Sequence, residues 1–218
     1  MYIYIYIKMC IDKEVSISAF ALCSITCIYL YKRNKVNDRW IAILFGYLGT
    51  MQFLEYLMWM DQECSGLNQV ATNLGFIHNI LQPFVALLVA YLMIKKIPKW
   101  IYIPFFAYLV YSLPRIYDKK NNDQCSKPCS EEKIGLSWEY TNTDNSSLVW
   151  LIFAIALSVP FLAMEKNGYA YFALTMAMYT ASHFIAQNRC KGAIIPSNGS
   201  WWCLMATITP LFAIFINK

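Results

Sequence analysis

Seven apolar runs, joined mostly by short polar loops, dominate this 218-residue chain. They occupy residues 15–31, 40–60, 71–94, 100–117, 148–164, 168–187 and 201–217. A helix rises about 1.5 Å per residue, so roughly 17–25 apolar residues cross a hydrocarbon layer about 30 Å thick. The chain is 58% hydrophobic and only 14% charged, against about 25% charged in soluble domains. A soluble core would not bury this many apolar side chains, whereas several membrane spans would. The expected architecture is all-α: one polytopic membrane domain over 1–218, built as a bundle of seven transmembrane helices. The lipid bilayer is its first partner.

Charge then orients the bundle. The loop after the first run reads KRNKVNDR, and the loop after the third carries Lys95, Lys96 and Lys99 without an acid. The loop after the second run carries Asp61 and Glu63 without a base. Cytoplasmic loops are enriched in Lys and Arg, which places the two basic loops inside, the N-terminus outside and the C-terminus in the cytoplasm. The net charge of +5 therefore reports topology and predicts no nucleic-acid partner. Trp40, Trp59, Trp100, Trp150, Trp201 and Trp202 stand near the ends of runs, where indoles anchor to headgroups. The leading MYIYIYIKMC alternates like a strand and lacks the basic start and cleavage site of a signal peptide. The first run with its KRNK flank reads as an uncleaved anchor.

The cysteines agree with that orientation. Of the eight, Cys64, Cys125, Cys129 and Cys190 fall in segments that charge alone places outside, where disulfides form. Four cysteines allow three pairings, and spacing does not choose among them. Cys23, Cys27 and Cys203 lie in or at spans and read as small apolar packers, and Cys10 stays open. The loop 118–147 is turn-rich and slightly acidic, and its cross-links would make it an ordered outer cap. Two glycosylation sequons, Asn145-Ser146-Ser147 and Asn198-Gly199-Ser200, abut spans and read as poor acceptors.

Three ionisable residues sit inside the apolar runs: Glu55, His78 and His183. Such groups cost about 2.5–3.5 kcal/mol on insertion scales and so face a bundle interior. Helical rise places all three about 6–8 Å to the outer side of the midplane. Gln52 shares a face with Glu55, Gln82 with His78, and Gln187 with His183. With Asn79 and with Arg115 at the outer end of the fourth run, these eight residues form the candidate pocket. Pro83 should free a carbonyl near Asn79, and Pro104, Pro114, Pro160 and Pro210 predict further kinks and small cavities.

Three chemistries fit this set. Glu55, His78 and His183 match the donor types of a hydrolytic zinc site with an open water position. A Glu/His file also serves proton or solute pathways, although the inner halves of the second, third and sixth runs are nearly free of ionisable groups. The plain alternative is interhelical hydrogen bonding that fixes register, at about 0.6–2 kcal/mol per bond. A retinal Schiff base needs a lysine that the seventh run lacks before Lys218. No H-E-x-x-H, G-x-S-x-G, P-loop or arginine stripe is present.

The pieces MQFLEYLMW, the following Cys64 and Asn68, GFIHNILQPF, and GSWWCLMA at 199–206 resemble a family of multi-spanning membrane proteins encoded mainly by giant DNA viruses and some protists. That resemblance implies a viral-type polytopic protein and no particular reaction. It gives weight to Glu55, His78, Gln82, Pro83, Trp202 and Cys203. The outer histidines are also similar to those of the alkaline ceramidase and progestin/adiponectin-type receptor superfamily of membrane zinc hydrolases. That pattern puts H-x-x-x-H in the last span, and no histidine follows Trp201 here. The resulting expectation is a non-enzymatic membrane protein with a polar pocket for a small ligand, lipid or partner. A zinc-dependent membrane hydrolase and a solute or proton pathway stand as alternatives.

Overall fold

The computed structural model describes residues 12–94, 97–118, 124–129, 135–138, 147–190 and 198–217, with the side chains at 114–118, 147–149, 189 and 198 excepted. Seven α-helices run through them: α1 Lys13–Arg33, α2 Asp38–Met60, α3 Leu67–Met93, α4 Tyr102–Asp118, α5 Ser147–Ser158, α6 Gly168–Arg189 and α7 Asn198–Ile216. Short 3₁₀ turns precede α4 at Lys99–Ile101 and follow α5 at Val159–Ala163. Two two-residue strands, β1 Lys127–Pro128 and β2 Leu136–Ser137, pair antiparallel. The alternating N-terminal decapeptide with Cys10 lies outside the described residues.

The chain is all-α, as its apolar runs predict. By length and composition, four helices are able to cross a membrane among the described residues: α1, α2, α3 and Gly199–Ile216 of α7. The fifth run, expected as one span over 148–164, is shorter than that. Pro160 cannot supply an amide hydrogen to a continuing helix, so α5 stops at Ser158 and the chain tightens into the 3₁₀ turn. The first basic loop is also shorter than its charge pattern implied. Arg33 closes α1 and Asp38 opens α2, leaving a four-residue turn in which Asn34 and Asn37 both take the left-handed conformation at φ 53° and 67°. Asparagine tolerates that conformation better than most residues.

α2 lies at the centre, packed against α1, α3 and α7, while α6 covers α7 and α5 joins α3, α4 and α6. Small residues set the closest approach. A Cβ on Gly49 would stand 2.8 Å from Cys23 Sγ, and one on Gly75 would stand 2.9 Å from Met51 Cε. Apolar side chains also point outward all round. Ile25 of α1, Leu92 of α3, Phe106 of α4, Phe184 of α6 and Phe215 of α7 are each at least 63% exposed. So wide an apolar exterior exceeds what soluble monomers carry and fits a lipid environment.

Polar anchors close both ends. At one end Arg33 makes two 2.7 Å bonds to Asp38, and it also donates to the Ile214 and Ala213 carbonyls of α7. Asn217 donates to Asp38 and accepts from Tyr171 of α6. The other end is cross-linked by disulfides Cys64–Cys125 and Cys129–Cys190. These four are the cysteines that charge patterning grouped together, and the structure supplies the pairing that spacing left open.

Candidate functional site

The disulfide end carries a small plug. Ser126 donates its amide to Asn68 Oδ1 at 2.8 Å, and its carbonyl accepts from Asn68 Nδ2 at 2.8 Å. Its hydroxyl lies 2.9 Å from that of Thr72. Asn68 also donates to the Met58 carbonyl at the end of α2, so one buried amide joins α2, α3 and the plug. Asp61 shapes the turn beneath it, accepting from the amides of Asn68, Ser65 and Gly66 and from the Ser65 hydroxyl. Those bonds, the Asn68 amide first, hold its carboxyl down at about 2.

After β2, Trp138 is 2% exposed and rests on Gly199, where an added Cβ would overlap the indole ring. Trp138 and Ser200 of α7 both face Glu55. Glu55 is therefore a closed site: the plug covers it, and α2, α3 and α7 surround it. Gln52 Nε2 donates to Glu55 Oε2 at 2.6 Å, one turn back on the same helix. Gln82 of α3 reaches the Cys203 thiol of α7, which lies within electrostatic range of Glu55. Gln52, Glu55 and Gln82 are each fully buried, and the Oε1 atom of each meets no hydrogen-bond donor. Three buried acceptors without donors are expensive, at about 1–3 kcal/mol each.

His78 is clamped separately. Its ring stacks on Tyr47 with centroids 4.2 Å apart. Nε2 lies 2.9 Å from the Tyr47 carbonyl and 2.8 Å from the Thr50 hydroxyl. A carbonyl only accepts, so Nε2 carries the hydrogen and Nδ1 is left to accept from Gln82 Nε2 at 3.3 Å. Tyr47 in turn donates to the His78 carbonyl, and Tyr108 of α4 donates to that of Ile80. Both carbonyls flank that of Asn79, which loses its helical donor because Pro83 has no N–H.

Of the eight residues expected to form a pocket, the structure links four: Gln52, Glu55, His78 and Gln82. Asn79 is half-buried on α3, and His183 is half-buried on α6 with its ring 6.4 Å from Phe184. Gln187, expected in the polar layer, is exposed instead: on this turn of α6 it is Ala186 that packs against Trp201 of α7. Arg115 lies on α4 and its side chain is outside the described ones. Among the described residues, Glu55, His78 and His183 form no group able to hold a metal ion. The physical reason is plain for His78: its Nε2 proton serves a backbone carbonyl, and its Nδ1 lone pair serves Gln82. The donor set expected for zinc does not assemble, and no metal step is derived from it.

Sequence reading missed four members of this region. Asn68 and Ser200 stand within motif stretches that give them no role of their own, and Trp138 and Ser126 lie in a polar loop with no periodicity to place them. The Cys203 position within GSWWCLMA was the one available signal on α7.

A family model described as "Family of unknown function (DUF5765)" matches residues 14–214, from the first turn of α1 nearly to the end of α7. No curated protein and no solved structure matches the chain.

Proposed function

The chain belongs to the DUF5765 family, and we propose that it is a multi-pass membrane protein that binds a small donor-bearing ligand, without catalysis, in the closed polar site around Glu55. The observation that carries this reading is the surplus of acceptors. Gln52, Glu55 and Gln82 together leave three buried oxygens unmatched. A hydroxyl or ammonium group would satisfy them, and the Trp138 plug would exclude water. The Cys203 thiol within electrostatic range of Glu55 is 1% exposed, an enclosure that supports binding over turnover.

Seven spans form the bundle in this reading, with the disulfide end outside and the Arg33 end in the cytoplasm. Exposed phenylalanines support spanning by α4, which is short at 17 residues, and by α6, which is long enough but less apolar. The two disulfides at one end and the basic turn at the other support the orientation. The kinship with multi-spanning proteins of giant DNA viruses rests on the sequence pieces already quoted. Glu55, His78, Gln82 and Cys203, which those pieces share, meet around one site.

The test is native mass spectrometry of the detergent-purified protein, with metal analysis alongside. The expected result is a small molecule retained by wild type and lost in Glu55→Gln. One zinc per chain, lost in His78→Ala, would overturn this reading in favour of the hydrolase. Retention of nothing, with Glu55→Ala merely less stable, would reduce the cluster to a register lock.

A further inference from the structure

The other end of the bundle holds a second cavity, of about 250 Å³, between the α1–α2 turn, the end of α3 and the α5–α6 turn. We propose that it seats the phosphate of an anionic phospholipid headgroup, independently of the Glu55 site. Lys35 and Arg39 line it, against a single acid, Glu165. Asp38 adds no free charge there, because its carboxylate is taken up by Arg33, the Lys35 amide and Asn217.

Two further features call for an acceptor. Trp40 lines the cavity, is 3% exposed, and its indole N–H meets no acceptor. The positive end of the 23-residue α2 opens at the same place. Asn37 leaves it without a side-chain cap and donates instead to the Lys166 carbonyl at 2.8 Å. An uncapped helix start beside two cations and an orphan N–H favours a phosphate oxygen.

A lipid fits better than free phosphate because the rim is apolar. Val36 and Met93 line the cavity yet remain 43% and 44% exposed, and Ile94 and Met164 continue that wall. They offer a glycerol and acyl stem a surface continuous with the outside of α3, where Leu92 is 67% exposed.

The experiment counts lipids retained by the full chain from mixed phosphatidylglycerol and phosphatidylcholine micelles, by native mass spectrometry. Wild type should retain phosphatidylglycerol preferentially. Lys35→Ala with Arg39→Ala, both exposed, should weaken that retention about 25-fold, at roughly fivefold per charge. Trp40→Phe loses the N–H and also shrinks a buried ring packed on Phe161, so it should weaken phosphatidylglycerol retention and lower the unfolding temperature together. Glu165→Gln should strengthen retention. Equal retention of the two lipids, or the same retention in the Lys35/Arg39 variant as in wild type, would overturn the proposal. So would displacement of the lipid by millimolar inorganic phosphate, which would make free phosphate the ligand.

Discussion

Glu55 concentrates the chemistry of this chain in one side chain. It accepts from Gln52 one turn away at 2.6 Å, with Ser200 and Trp138 facing it from the other segments. Glu55→Gln adds an amide donor without changing volume, so thermal stability in detergent should stay within about 1 kcal/mol of wild type. Glu55→Ala strands the Gln52 amide and opens a cavity, and should cost about 2–4 kcal/mol. Equal losses in the two variants would show that the carboxylate, which an isosteric amide does not reproduce, is what the site needs. Asp61 gives a second residue-level expectation. Its carboxyl is held at about 2, below the ordinary 3.8. A depressed carboxyl contributes stability that is whole above the unfolded value and is lost as pH falls through the folded one. Protection of the Ser65, Gly66 and Asn68 amides from hydrogen exchange should therefore be flat above pH 4 and decline toward pH 2. Asp61→Asn should lose that dependence.

Among the elements, the joints carry more than the helices. The α1–α2 turn is held to the end of α7 through Arg33, whose partner Asp38 is fully buried. Arg33→Ala leaves that carboxylate unpaired and should cost about 3–5 kcal/mol, while adding Asp38→Asn should recover part of the loss. A thermal-unfolding double-mutant cycle measures this directly. At the other end, each disulfide spans 61 residues of sequence. The chain-entropy model gives each about 4 kcal/mol. Non-reducing peptide mapping should recover Cys64 with Cys125 and Cys129 with Cys190. Reduction should lower the unfolding temperature while leaving most helix signal, since α1, α2 and α7 pack without the plug. The helices themselves were legible from apolar run length. The break after Ser158 was not, because a proline within an apolar run reads equally as a kink or as a helix end, and only packing decides which.

The whole molecule turns on how the bundle crosses the bilayer. α1, α3 and α7 all run toward the Arg33 end, so a bundle that crosses the bilayer end to end puts the termini on opposite faces, and one that lies along a single leaflet puts them together. Protease protection of terminal tags in sealed vesicles separates the two. The expected outcome is an exoplasmic N-terminus and a cytoplasmic C-terminus. Tags on the same side would show that the bundle does not cross the bilayer from its disulfide end to its Arg33 end. The match to one family over 14–214 reaches into every helix.

Patterns that are local to the chain could be read from it directly. Apolar runs specify helices because burial of backbone polar groups in lipid leaves few other solutions. Loop charge grouped Cys64, Cys125, Cys129 and Cys190 at one end, and helical spacing put Gln52 beside Glu55 and Gln82 beside His78. What joins separate elements carried no such periodic signal. Folding decided which cysteines pair, that Trp138 closes over Glu55, and that Asp38 is buried against Arg33 rather than solvated in a basic loop. It also decided that His78 spends both ring nitrogens on Tyr47, Thr50 and Gln82, while Gln187 turns outward. Each of these depends on distances between segments far apart in sequence, and those distances are set by how the helices pack.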